Sequence, residues 1–169
     1  MRSVKEITIT AILAAILFIQ EQALMWLPNI QLTVLLIIVY CKAVGMKRTT
    51  VIVIIHTLLD SLLWGFDLRY FLPMLGGWLL IPLSLGTVFK NVESPITLAI
   101  LGAIYAFIYS WLFSIPYLLI SKSAFLGYLA ADIFYEVIFA ASSFITILWL
   151  YEPLKLILVN LDNEYFGRN

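Results

Sequence analysis

Six apolar stretches, residues 7–19, 27–41, 49–66, 70–89, 96–119 and 125–150, run along the chain with short polar gaps between them. A helix that crosses a bilayer takes about 17–25 mostly apolar residues, and each stretch is close to that length, the second being short. The pattern predicts an all-α polytopic membrane protein with six transmembrane helices, a single domain over residues 1–169. No linker, low-complexity segment or clear internal repeat divides it, and the longest polar stretch is the tail after Val159.

Charge orients this bundle. Of ten Lys and Arg residues, eight fall at the termini or in every second gap: Arg2 and Lys5 before the first stretch, Lys42, Lys47 and Arg48 after the second, Lys90 after the fourth, and Lys155 and Arg168 after the sixth. Only Arg69 and Lys122 occupy the alternate gaps. Short loops rich in Lys and Arg stay in the cytoplasm, so both termini are expected inside and the Arg69 and Lys122 gaps outside. Composition agrees, because 63% hydrophobic and 12% charged residues cannot clothe a soluble domain. A formal net charge of zero with no basic run leaves no electrostatic footprint for nucleic acid. The single Cys41 cannot form an internal disulfide and reads as a buried, inert thiol. Arg2 and Lys5 ahead of an apolar run imitate a signal peptide. Gln20, Glu21 and Gln22 follow where a small-x-small cleavage site belongs, so the segment reads as a retained first helix.

Ionisable side chains in hydrocarbon are costly unless something pairs with them, so the polar residues within the stretches mark candidate chemistry. His56, Asp60 and Trp64 are spaced four apart and stack along one helical face, with Asp60 about 9 Å below the outer end of its stretch. Tyr128, Asp132, Tyr135 and Glu136 form a second stripe near the outer end of the sixth. Glu21, Trp26 and Asn29, with Gln20 and Gln22, are placed in the first outer loop, and Asp67, Arg69, Tyr70 and Lys122 in the other two. Acidic, amide and aromatic groups converging on one end of a bundle read as a pocket for a polar heterocycle, lined by Glu21, Trp26, Asn29, His56, Asp60, Trp64, Arg69, Tyr128, Asp132 and Glu136. The plainer alternative is internal pairing, His56 with Asp60, and Arg69 and Lys122 with Asp67, Asp132 or Glu136. Pro73, Gly76 and Gly77 are expected to loosen or kink the fourth helix, and Pro116 to break the outer end of the fifth after Ser114.

Enzymatic readings fare worse. His56 has no serine set up as a nucleophile beside it, and one histidine among carboxylates lacks the spacing of a metal site, so neither catalysis, a metal nor a cofactor is expected. There is no Walker A loop either, so any driven transport takes its energy from a partner.

The first helix shows where a partner docks. Ala11 and Ala15 lie four apart, with Thr8 one turn earlier and Ala14 adjoining, a smooth strip that lets another helix come close. With Ala11-Ile12-Leu13-Ala14-Ala15, the Leu27-Pro28-Asn29-Ile30-Gln31-Leu32 lead-in to the second helix and the basic Gly45-Met46-Lys47-Arg48 turn, the whole chain resembles the substrate-binding S components of energy-coupling factor (ECF) transporters, the vitamin-uptake systems of prokaryotes. The resemblance implies a multi-pass protein of a prokaryotic plasma membrane that binds a vitamin or related small molecule from outside. It also implies that Ala11, Ala14 and Ala15 dock on a transmembrane coupling subunit, and that two ATPase subunits drive delivery. Nickel and cobalt members carry a histidine near the start where Arg2 stands here, which disfavours a metal cargo. Cobalamin, pantothenate, a pyrimidine and a queuosine precursor are all compatible, and the Leu27–Gln31 lead-in leans to cobalamin. The alternative from another class is a structural membrane scaffold of the MreD type, for which the outer polar stripes are dispensable.

Overall fold

In a computed structural model that describes residues 4–166, the chain is helical throughout, with no strand among the described residues. Its elements are α1 (Val4–Leu24), α2 (Thr33–Val44), α3 (Met46–Trp64), α4 (Leu68–Gly86), α5 (Pro95–Leu112), the short α6 (Ile115–Leu118) and α7 (Lys122–Phe166). Four segments, Val4–Leu24, Leu68–Gly86, Pro95–Leu118 and Lys122–Leu161, are long and apolar enough to cross a membrane. Arg2 and Arg168, counted above in the charge pattern, lie outside the described residues.

The organising element is the shortest of the long helices. Thr33 through Cys41 of α2 are all buried, as is Val44. A helix that is apolar all round is buried all round, and α2 packs against α1, α3, α4, α5 and α7. Its 12 residues span about 18 Å, short of a bilayer's apolar core, so neighbours rather than lipid surround it. The turn that follows is a single residue: Gly45, at φ 88°, ends α2 and starts α3. Glycine alone adopts that backbone without strain. α5 and α7 pack against each other at Gly102, where an added Cβ would run into the Ile147 side chain. Trp78, Tyr40, Tyr151, Phe139, Leu17 and Ile81 fill the remaining core.

The outside of the bundle is apolar too, with Ile12, Ile16, Leu62, Ile100, Ile104, Phe134, Val137 and Trp149 all exposed. A surface of that kind suits hydrocarbon and is far larger than the apolar patches soluble proteins carry. Together with the four long apolar helices it is consistent with a membrane location.

Several sequence boundaries need correction. Gln20, Glu21 and Gln22 are not in a loop but form the last turn and a half of α1. Lys47 and Arg48 belong to the first turn of α3, and Lys122 opens α7. The sixth helix does not stop at residue 150: α7 continues through Pro153 to Phe166, 45 residues or about 67 Å, and the polar stretch after Val159 is helical as far as it is described. Proline lacks only its own N–H, and an exposed turn such as the one holding Pro153 lets water take the freed carbonyl. α4 likewise runs unbroken through Pro73 and Pro82. The fifth helix does end near Ser114, as the Pro116 break requires.

Candidate binding site at the acidic end of the bundle

The polar contacts between helices sort into two sets, one at each end of the bundle. At one end meet the C-terminal turns of α1 and α3, the N-terminus of α2 and the loop 25–32. At the other meet the N-termini of α1 and α3, the end of α2, the loop between α4 and α5, and the distal half of α7.

At the first end the three consecutive polar residues of α1 reach two elements, Gln20 the start of α2 and Glu21 and Gln22 the last turns of α3. Gln20 Oε1 accepts from Leu32 N at 3.0 Å and its Nε2 donates to Thr33 Oγ1 at 2.8 Å, which supplies the N-terminus of α2 with the cap its own residues lack. Glu21 Oε2 lies 3.0 Å from His56 Nε2, and His56 is fully buried. Gln22 joins two residues of α3: its Nε2 donates to Asp60 Oδ1 at 3.0 Å, and its Oε1 accepts from Trp64 Nε1 at 3.3 Å. An indole N–H can only donate, so Trp64 fixes the orientation of the amide and turns the Gln22 N–H toward Asp60. A carboxylate accepts such a bond.

Between these groups and the loop lies a cavity of about 370 Å³, lined by Glu21, Gln22, Asn29, Gln31, Asp60 and Trp64 with Leu24, Met25, Leu27 and Ile30. Asn29 sits at φ 55°, a left-handed backbone that asparagine tolerates, and its Nδ2 donates to the carbonyl of Tyr135 at 2.9 Å. This single bond ties the loop over the cavity to α7. No Lys or Arg lines the cavity.

Of the residues singled out in sequence, Glu21, Asn29, Asp60 and Trp64 line this cavity, and His56 stands behind Glu21. The His56–Asp60 couple of the plainer alternative does not form: Asp60 accepts from Gln22 of α1, and His56 lies beside Glu21 of α1. Trp26 points elsewhere, 82% exposed, with its indole N–H on Ala23 O at 2.7 Å. Arg69 is also outside the cavity, paired with Asp67 at the mouth of α4, where its side chain and backbone N–H hold the Asp67 carboxyl below the usual range. No ion pair joins Lys122 to an acidic residue among the described residues. The sequence missed Gln22 and Gln31 as lining residues, and Gln20 as the cap of α2. Thr33, four residues after Asn29, was the only available hint that a helix start needed a partner there.

The α7 stripe forms a second cluster beside the first. Glu136 is buried, its Oε2 accepting from Trp111 Nε1 at 3.1 Å and its Oε1 without a partner. Tyr128 stacks on Tyr117 of α6 at 4.5 Å, and Asp132, one turn after Tyr128, is half-buried. None of these lines the 370 Å³ cavity. An aromatic wall divides the two clusters: Trp78 of α4 stacks on Tyr109 of α5 at 3.9 Å, with Phe139 of α7 edge-on to both and His56 at 6.5 Å from Trp78.

The small-residue strip of α1 divides as well. Thr8 and Ala11 are exposed and Ala15 is partly so, whereas Ala14 is 1% exposed and packs in the core. Ala14 therefore does not belong to an outward strip. Beside the strip an apolar groove of about 440 Å³ runs between Val4, Thr8, Ile12 and Ile16 of α1 and Leu158 and Leu161 of α7.

The opposite end is closed by charge. Lys42, buried at the end of α2, donates to the carbonyls of Phe89 and Lys90 at 3.1 and 3.0 Å and lies 3.9 Å from Glu93. Glu93 also accepts from Tyr151 Oη at 3.1 Å and from Lys155 Nζ, so one carboxylate ties α2 and α7 to the loop before α5. Burial opposes ionisation of Glu93, but Lys155, Tyr151 and Lys42 outweigh it and hold its carboxyl below the usual range. Arg48 of α3 reaches Glu6 of α1 at 3.9 Å on the same side.

No protein-family model matches the chain, and no curated protein or solved structure matches it either.

Proposed function

We propose that this protein is the substrate-binding membrane subunit of an ECF-type importer, which takes a vitamin-like small molecule from outside into the cavity at the Glu21–Asp60 end and delivers it with a coupling subunit and two ATPase subunits. The observation that carries the reading is the cavity itself: a concave site of 370 Å³ with carboxylate, amide and indole groups, set at one end of an otherwise apolar bundle. Ligand sites are built in this way, mostly apolar walls with a few polar groups that fix orientation. The reading takes six crossings with both termini in the cytoplasm, and the clustering of Lys5, Lys42, Lys47, Arg48, Lys90 and Lys155 at the end opposite the cavity supports that orientation. The exposed Thr8–Ala11–Ala15 strip supplies a smooth face for a partner helix.

The cavity also narrows the cargo. Ligand pockets run from about 300 to 1,000 Å³, and 370 Å³ is at the low end of that range. A heterocycle of one or two rings suits a space of that size better than a corrinoid, so the reading takes a small vitamin-like cargo.

The test is reconstitution of uptake with coupling and ATPase subunits, comparing Ala11→Trp with Ala14→Trp. Ala11→Trp should abolish copurification and uptake while leaving the melting temperature of the isolated protein unchanged, and Ala14→Trp should lower that temperature by overpacking the core. Wild-type uptake in which Ala11→Trp copurifies and transports normally would remove the docking assignment. For a scaffold of the MreD type the cavity's polar groups are dispensable, and the protein neither binds a small molecule there nor copurifies with coupling and ATPase subunits.

A further inference from the structure

The charge census of the cavity carries the reading of its ligand one step further. Two carboxylates, Glu21 and Asp60, line it, and no Lys or Arg does. The only basic group beside it is His56, whose Nε2 lies 3.0 Å from Glu21 Oε2 without forming a hydrogen bond to it. Arg69, the nearest described cation of that end in sequence, is turned away onto Asp67 with its side chain 74% exposed. Asp60 is 9% exposed, so water screens it poorly. Its Oδ1 is held by Gln22, in the orientation that Trp64 fixes, and its Oδ2 takes no hydrogen bond from any described residue. Electrostatic neighbours on other elements add no compensation: the Tyr109 hydroxyl of α5, which lies in the field of both Glu21 and Asp60, is an uncharged group. Whatever proton His56 carries, two carboxylates against one imidazole leave the lining short of positive charge. Trp64, one turn above Asp60 on the same face, adds an indole ring whose negative π-face attracts a cation.

We infer that the cavity takes a small organic cation, a protonated amine or a positively charged heterocycle, with its charge on Asp60 Oδ2 and its ring beside Trp64. This rests on the reading of the cavity as a ligand site, and it commits that site to cationic rather than neutral or anionic cargo. Asp60 is then the residue that selects charge, and Gln22 a positioning residue that holds its other oxygen.

Three probes of one size separate the two levels of the claim: benzylamine, benzyl alcohol and benzoate, titrated at neutral pH into the full-length protein in detergent and followed by isothermal titration and thermal shift. Benzylamine should bind at least tenfold more tightly than benzyl alcohol, and benzoate should not bind. Asp60→Asn keeps the shape of the side chain and the bond from Gln22, so it should fold normally and lose the preference for the amine. Benzoate or benzyl alcohol binding as well as benzylamine, or an amine preference that survives in Asp60→Asn, overturns the charge assignment and leaves the ligand site standing. No binding by any of the three, with wild type and Asp60→Asn equally folded, overturns both.

Discussion

The two ends of this bundle hold similar numbers of polar side chains and use them in opposite ways. At the Lys42 end each charge meets a protein group of opposite character: the buried ammonium of Lys42 covers two carbonyls, and the more exposed Glu93 collects Lys155, Tyr151 and Lys42. At the Glu21 end the carboxylates line a cavity, Asp60 held by the Gln22 amide and Glu21 beside the His56 imidazole, and Asp60 Oδ2 takes no donor among the described residues. Desolvated charge is tolerated in a fold when it is paired, and unpaired charge beside open space is the signature of a place where something else binds. On the function proposed, the contrast divides the work between the two ends, one fastening helices and the other open to a ligand.

Breaking the closed end should produce the largest effect. Lys42→Met removes two charge-assisted hydrogen bonds, to the carbonyls of Phe89 and Lys90, and should cost about 3 kcal/mol of stability. Unfolding in detergent would show it as a lower melting temperature, with the affinity of the remaining folded protein for ligand unchanged. Next in size, Asp60→Asn at the open end should weaken cargo binding tenfold or more, about 1.4 kcal/mol or above, while the melting temperature moves little. If instead Asp60→Asn unfolds the bundle and spares affinity, both ends are fasteners and the contrast fails. Trp64→Leu sharpens the comparison, since its ring is 61% exposed and a cation over an exposed indole gains only about 0.5–1 kcal/mol. Titration should show a two- to fivefold loss of affinity for the amine and none for the neutral probe.

The smallest effect is a pH dependence confined to the closed end. The Glu93 carboxyl is held below its usual value in the folded protein, so its contribution to stability is complete above the unfolded pKa of about 4.3 and is lost as pH falls through the lower folded value. Glu93→Gln should flatten the acid limb of stability below about pH 4 and leave the neutral region unaltered. An acid limb identical in wild type and Glu93→Gln would show that the carboxylate fastens nothing.

Much of this was legible in the chain and some was not, for reasons that differ by residue. Apolar runs announced the helices because hydrocarbon imposes length and composition directly. Their ends were less visible: Gln20, Glu21 and Gln22 read as a loop because they are polar, yet they are helical because the start of α2, His56 and α3 supply their partners. The Glu21–His56 contact had no sequence signal at all, since the residues are far apart on different helices, and the i,i+4 spacing of His56 and Asp60 pointed to a pair that does not form. Ala11 and Ala14 were inseparable for another reason. In a helix facing lipid on one side and protein on the other, both sides are apolar, so pattern alone does not reveal that Ala14 faces in and Ala11 out. Asp60 and Trp64 were found because a polar stripe at helical spacing stands out against hydrocarbon whatever its partners turn out to be.

The claim that the open end exists to hold a cargo is tested most directly by native mass spectrometry of wild-type and Asp60→Asn protein purified in parallel from cells. The account predicts a small molecule with a basic nitrogen bound to the wild type, of a size that fits 370 Å³, and its absence from Asp60→Asn protein that melts at the same temperature. The same adduct on both proteins, or bare protein in both, would contradict it.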